Sequence, residues 1–208
     1  PEPMVERYKA WKAKDYVKTA DSFQRLADEG QSPQYMVISC CDSRVHVSRL
    51  LMAEPGEMLI HRNIANLVPP CEPDGEHHGT SAALEFAITA MRVTNLIILG
   101  HSQCGGAKGC HDMCAGTDPK LKAPESFVGR WMDILKPGFD RIQHIRDETD
   151  RLRALEQQTV LISLENLMTF PFVTEAIEAG TLHVLGLWVD IGPGNLHCLD
   201  AESGQFAP

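Results

Sequence analysis

Two short segments of this 208-residue chain carry side chains able to hold a soft divalent metal. Cys40-Cys41-Asp42-Ser43-Arg44 offers two thiols, a carboxylate and a guanidinium. His101-Ser102-Gln103-Cys104 offers an imidazole and a thiol three residues apart. Zinc favours thiolate and imidazole donors, and a His-x-x-Cys step lets two of them reach one ion from a single turn. A third donor from the first segment gives a Cys₂His set with one tetrahedral position open, the pattern of a catalytic site and not of a closed structural one. Adjacent side chains in an extended segment point to opposite sides. Spacing therefore leaves open whether Cys40 or Cys41 faces the metal.

The same spacing recurs at His111-Asp112-Met113-Cys114, with Cys110 four residues before Cys114. That set follows a glycine-rich stretch and reads as a helix on which residues 110 and 114 share a face. Packing is its expected role, since cysteine behaves as a small hydrophobe when buried. What separates the first two segments from it is position. Each follows an apolar run of strand type, and α/β proteins place their chemistry just past the carboxyl ends of strands.

The strand candidates are Tyr35–Ser39, Glu57–His61, Asn95–Leu99, Thr159–Ser163 and Thr181–Val189, each short and almost continuously apolar, as strands covered on both faces are. Asn195–Leu199 alternates and reads as an edge strand. Helical patterns lie between: Ser81–Arg92 with Leu84, Ile88 and Met91 in step, Phe139–Leu155, and Glu165–Gly180 ending on a glycine cap. This alternation predicts an α/β fold with a mainly parallel central sheet flanked by helices. Val5–Gly30 precedes the first strand as a helical arm with Phe23, Leu26 and Ala27 on its apolar face. The turn-rich stretches 69–79 and 116–124 read as connections inside one domain over residues 1–208, with the arm in 1–30 and the α/β core in 35–200.

Composition narrows the partners. A net charge of −9 without a basic cluster argues against a nucleic-acid partner. No run approaches the ~18 apolar residues of a membrane span. Seven cysteines, an odd number with an adjacent pair, read as reduced thiols in a core-forming chain, so a reducing, cytoplasmic location is expected. The first residue is Pro1, which leaves a removed leader open.

Cys40-x-Asp42-x-Arg44, followed some sixty residues later by His101-x-x-Cys104, resembles the β-class carbonic anhydrases. Further matches are Gln31-Ser32-Pro33, the stretch Arg62 to Asn66, Gly100-His101, Cys104-Gly105-Gly106 and Ser163 through Val173, so that the resemblance runs from about residue 5 to 200. It implies a zinc ion on Cys40, His101 and Cys104, and reversible hydration of CO₂ to bicarbonate. It also implies that Asp42 orients the hydroxide while Arg44 clamps Asp42 in a two-pronged pair and keeps it off the metal. Two thiolates make the zinc water less acidic than three imidazoles would. Gln31 and Gly105 are implied on the substrate side, with glycines 105 and 106 allowing close backbone approach and a left-handed turn into the next helix.

The related subgroup that closes its site with Asp on zinc has Trp three residues before the first ligand. Val37 stands there, which points to the open-site, plant-like subgroup. Cys71 and Phe86 replace aromatic pocket residues of that subgroup and imply a less polar pocket of different shape. His46, His77, His78 and His111 are candidate proton carriers. The resemblance further implies a homodimer or a multiple of it, with the N-terminal arm on the partner. Three alternatives stay open at this stage. They are a hydrolase of carbon disulfide or carbonyl sulfide on the same scaffold, a silent zinc-bearing regulatory module, and a thiol redox protein using Cys40-Cys41 or Cys110 and Cys114.

Overall fold

The computed structural model describes residues 1–72 and 78–208. A six-stranded sheet in the order β2-β1-β3-β4-β5-β6 organises it. β1 (Tyr35–Cys40), β2 (Met58–Asn63), β3 (Asn95–His101) and β4 (His183–Asp190) run parallel; β5 (Asn195–Leu199) pairs antiparallel with β4, and β6 (Phe206–Ala207) with β5. The sheet is mainly parallel, as the alternation of patterns predicts. β5 is not the outermost strand, because β6 covers it.

The helices are α1 (Glu2–Lys14) and α2 (Ala20–Glu29) before the sheet, then α3 (Val47–Leu50), α4 (Gly79–Glu85), α5 (Gly105–Ala115), α6 (Phe127–Met132), α7 (Lys136–Ile142), α8 (Glu148–Leu167) and α9 (Pro171–Glu178). The expected arm is two helices joined by a short 3₁₀ turn at Tyr16–Lys18. The helix expected over 81–92 is α4 continued by a π-helical segment at Phe86–Ala90.

One expected strand is wrong. Thr159–Ser163 lies inside α8, a twenty-residue helix. A short apolar run has no period that distinguishes a strand from a fully buried helix, and here Leu155, Thr159, Val160, Ile162, Ser163 and Leu167 are all buried. α8 packs on β3 and β4. Its start also splits the helix expected over 139–155: Asp147 accepts a hydrogen bond from the N–H of Asp150 at 2.9 Å and caps α8, so α7 ends at Ile142. The helix expected over 165–180 breaks in the same way, with α9 beginning at Pro171, whose missing N–H suits a first helical turn.

The hydroxyls of Thr159 and Ser163 look outward from α8 to a strained loop. Ala65 and Asn66 follow β2 in left-handed conformations, φ 61° and 48°. Ser163 Oγ donates to the Asn66 carbonyl (3.0 Å) and accepts from the Val68 N–H (3.1 Å), while Asn66 Nδ2 donates to Thr159 Oγ1 (3.1 Å). Backbone in this region costs on the order of 1–3 kcal/mol per residue and persists only where its surroundings over-determine it. The hydroxyl pair on α8 supplies that determination next to the first metal-type ligand.

Candidate metal centre

β1 and β3 are neighbours in the sheet, and the chain leaves them on opposite sides, to β2 and to β4. Such a switch in strand order opens a crevice at the carboxyl ends, where α/β folds bind ligands. Cys40 is the last residue of β1 and His101 the last of β3. Cys104 caps the start of α5, three residues on. The ligating atoms of Cys40, His101 and Cys104 all lie within 4.8 Å of one another, and all three residues are buried. Among the described residues this is the one group of His, Cys, Asp and Glu so placed.

The choice between the adjacent cysteines is settled by the pleat. Cys40 faces inward and is buried, whereas Cys41 is exposed. Cys110 is buried in the core with Met113, Met132 and Leu135, as a packing role requires. Cys114 is half-buried, and His111 lies edge-on to Phe139 with Nδ1 3.3 Å from Asp112. Among the described residues, that second His-x-x-Cys assembles no donor cluster.

The three donors fit zinc on an observation independent of spacing. His101 Nδ1 hydrogen-bonds the Ser102 carbonyl at 2.8 Å, which fixes the proton on Nδ1 and leaves Nε2 as the lone-pair nitrogen. Nε2 is buried without a hydrogen-bond partner. Buried polar atoms are rarely orphaned, and a metal is one of the explanations such an atom calls for. The thiols agree. Interaction with the neighbouring sulfur of Cys104 holds the Cys40 thiol below the usual range, while Cys40 and burial push that of Cys104 up. The N–H groups of Gly106 and Ala107 at the start of α5 work toward the thiolate form of Cys104.

Asp42 and Arg44 stand beside this cluster as a closed pair. Arg44 Nε donates to Oδ1 at 2.9 Å and Nη2 to Oδ2 at 2.8 Å, and the Arg44 N–H also donates to Oδ1 at 2.9 Å. Hydrogen bonding from Arg44 holds the Asp42 carboxyl well below the usual carboxylate range. Arg44 reaches the second loop as well: Nη2 donates to the Gln103 carbonyl (2.9 Å) and Nη1 to Gln103 Oε1 (3.2 Å). One guanidinium thus ties the two ligand-bearing loops together.

The sequence reading missed several residues that shape the site. Arg62 donates to the carbonyls of Cys40 (3.0 Å), Asp42 (2.7 Å) and Val45 (2.8 Å), fixing the first loop from β2. Buried Glu156 on α8 accepts from the Cys104 N–H at 3.2 Å, and burial pushes its carboxyl up. The left-handed turn expected at the glycines falls on Gln103 instead, at φ 55°. Gly106 serves close approach: a Cβ there would sit 2.8 Å from Ile64 Cγ2 and 2.9 Å from Ala65 Cβ. Gly105 lines a cleft of about 360 Å³ with Gln103, Cys104, Lys108, Arg153 and Glu156. A larger cavity of about 750 Å³, lined by Cys114 and Lys136 among others, touches none of the three ligands.

Other expected site residues lie elsewhere in the single chain. Gln31 is exposed and precedes β1 at its amino end, whereas Cys40 closes the strand about 16 Å further on at ~3.3 Å per residue. Cys71 and Phe86 line two other shallow clefts, the first with Phe170 and Phe172, the second with Leu59 and Ile60. Of the candidate proton carriers, His46 and His78 are exposed and His111 is buried, which removes it from contact with solvent. His77 falls outside the described residues.

Comparison with known proteins agrees with this geometry. The family model described as "Carbonic anhydrase" matches residues 35–196. Beta carbonic anhydrase 3 of Arabidopsis thaliana is 36% identical over 197 residues, covering 91% of this chain and 74% of the relative. Among solved structures, one of two tetrameric β-carbonic anhydrases of Sordaria macrospora superposes with a TM-score of 0.81 at 29% identity, covering 100% of this chain and 98% of that one. The β-carbonic anhydrase CafA of Aspergillus fumigatus gives 0.79 at 27%, covering 96% and 90%. With the fold, the donor set and the matched length in agreement, this chain belongs to the carbonic anhydrase family, in its β class.

Proposed function

We propose that this chain catalyses the reversible hydration of carbon dioxide to bicarbonate and a proton, with zinc on Cys40, His101 and Cys104 and with Asp42 and Arg44 setting the direction of attack. The observation that carries the reading is the convergence of three buried donors, one of them an orphaned imidazole nitrogen, beside a carboxylate locked by an arginine. Zinc at such a site acts as a Lewis acid that brings the pKa of a water toward neutrality.

The protein's own groups do the rest. Asp42 is ionised at neutral pH and accepts hydrogen bonds only. A water or hydroxide beside it must give Asp42 its hydrogen and turn a lone pair away, toward the carbon of CO₂. Arg44 occupies both carboxylate oxygens, so Asp42 does not swing in as a fourth ligand. This supports the open-site reading made from Val37. The proton released leaves to buffer or to an exposed imidazole such as His46 or His78.

Stopped-flow CO₂ hydration by the purified protein, before and after chelation of zinc and again after its return, tests the proposal. Activity should vanish and come back. Hydration that survives chelation, or turnover of carbon disulfide or carbonyl sulfide in preference to CO₂, would falsify it.

We also infer a homodimer or a multiple of one. α1 buries none of its residues within its own chain and leaves Met4, Tyr8 and Trp11 exposed. Among the described residues β2 is a sheet edge without a further strand, and it carries exposed Ile60. Gln31 can serve the substrate only if a second chain brings the amino end of its β1 to this cluster. The tetrameric state of the Sordaria relatives supports the inference. Sedimentation velocity should show no significant 23.0 kDa species at assay concentrations; a fully active monomer would refute the point.

A further inference from the structure

The acceptor that fixes the His101 tautomer is a main-chain carbonyl, that of Ser102. Its direction therefore depends on whatever holds the Ser102 peptide. The next residue, Gln103, is left-handed without being glycine, a conformation that persists only under constraint from its surroundings.

The constraint comes from the end of β4. The Ser102 N–H donates to the Val189 carbonyl at 2.9 Å. Ser102 Oγ donates to Asp190 Oδ1 at 2.8 Å and accepts from the Ile191 N–H at 2.9 Å. Ser102 is 2% exposed, so no solvent replaces these partners. Asp190 is held in turn: its second oxygen accepts from Arg153 Nη2 at 3.2 Å, and the Arg153 guanidinium lies over the Trp188 ring, 5.3 Å from its centroid. A chain of contacts thus runs from α8 through Arg153, Asp190 and Ser102 to the ring of His101.

We propose that Ser102 and Asp190 are positioning residues for the metal, fixing the peptide that aims His101 Nε2 at the ion. The inference rests on the ligand set proposed above. Partners that hold a ligating histidine typically govern metal affinity by about 10–100-fold. Here the direct partner is backbone, so that control passes to the side chains behind it.

The test uses zinc-loaded wild type, Ser102→Ala, Asp190→Ala and Asp190→Asn. Zinc release to an excess of a chelating dye is followed by absorbance, and visible spectra are recorded on the cobalt-substituted proteins. Ser102→Ala and Asp190→Ala should release zinc about 10–100-fold faster than wild type and shift the cobalt bands. Asp190→Asn keeps an oxygen acceptor for the Ser102 hydroxyl and should stay close to wild type in both. A purely structural role would lower the melting temperature of the apo-proteins and leave the cobalt bands in place. If Ser102→Ala does not fold, the Asp190 pair carries the test, since that carboxylate is one contact further from the ligand loop and 15% exposed. Wild-type release rates and cobalt bands in Asp190→Ala overturn this proposal alone. A wild type that holds no zinc overturns the ligand assignment and this proposal with it.

Discussion

Cys104→Ala should lose its zinc and, with it, roughly a thousandfold or more of kcat/KM for CO₂ hydration. Lewis-acid activation contributes several kcal/mol to such a reaction, and each ~1.4 kcal/mol is a factor of ten. Only three donors converge on the site among the described residues, and the neighbouring Asp42 carboxylate is engaged by Arg44. Two remaining donors, one thiolate and one imidazole, cannot hold the ion against water. The same loss is expected for His101→Ala and Cys40→Ala. Folding should survive in Cys104→Ala, because the side chain is small and the surrounding core of Ala65, Leu67, Ala107 and Leu155 stays in place. Metal content with far-ultraviolet circular dichroism separates the two effects. Cys114→Ala, which shares the spacing but not the cluster, and Cys110→Ala should keep a full complement of zinc. A Cys104→Ala protein with one zinc per chain and near wild-type turnover would remove the basis of the assignment.

The second large effect belongs to the dyad. Asp42→Asn should reduce kcat/KM by roughly a hundredfold, within the usual range for a positioned proton acceptor, while leaving zinc content at one per chain. An amide can present an N–H where the carboxylate only accepts, so it no longer forces the nucleophile's hydrogen into a single direction. Arg44→Ala should cost a comparable factor, since it frees Asp42 from a two-pronged pair that Lys cannot reproduce. If the two act as one unit, the double variant loses little beyond either single one. Additive losses would mean that Arg44 works independently, for example by tying the Gln103 loop. Acid stability gives a further check. Hydrogen bonds from Arg44 depress the Asp42 pKa on folding. A depressed carboxylate contributes stability above its unfolded pKa of ~3.9, and that contribution is lost as pH falls through the folded value. Asp42→Asn should therefore show a shallower loss of stability than wild type below about pH 4.

The proposed oligomer bears on both expected results. Pro33 is buried but Gln31 is exposed, at the end of β1 opposite Cys40. On the proposed dimer, a glutamine there would serve catalysis only between chains. Cys71 and Phe86 likewise line clefts on the chain's own surface, away from the ligands. Their expected effect on the pocket depends on the same association.

Much of the ligand set was legible because its physics is local. A donor placed at the last residue of a buried strand is fixed by the strand itself, and the apolar runs before Cys40 and His101 mark those strand ends plainly. Asp42 and Arg44 are two residues apart, so their pairing needs only one short turn. The α5 cysteines were legible for the same reason, since helical periodicity alone puts them on one buried face.

Other features depended on the assembled fold. Thr159–Ser163 reads as a strand in isolation, yet α8 takes it up, because burial on all sides erases the polar stripe that normally betrays a helix. Asp190 and Glu156 meet the His101–Cys104 loop across 88 and 52 residues of sequence, and no spacing rule reports a hydrogen bond of that range. The sequence by itself determined which atoms can bind the metal and at which strand ends they stand. Spacing left Cys40 and Cys41 equal and the family resemblance implied Cys40, which the pleat bears out; the tertiary structure alone decided that Gln103 takes the left-handed turn and that carboxylates from β4 and α8 brace the loop. The physical reason is range: donor chemistry and strand periodicity are carried by neighbours along the chain, whereas orientation is fixed by partners that become neighbours only when the sheet and α8 close together.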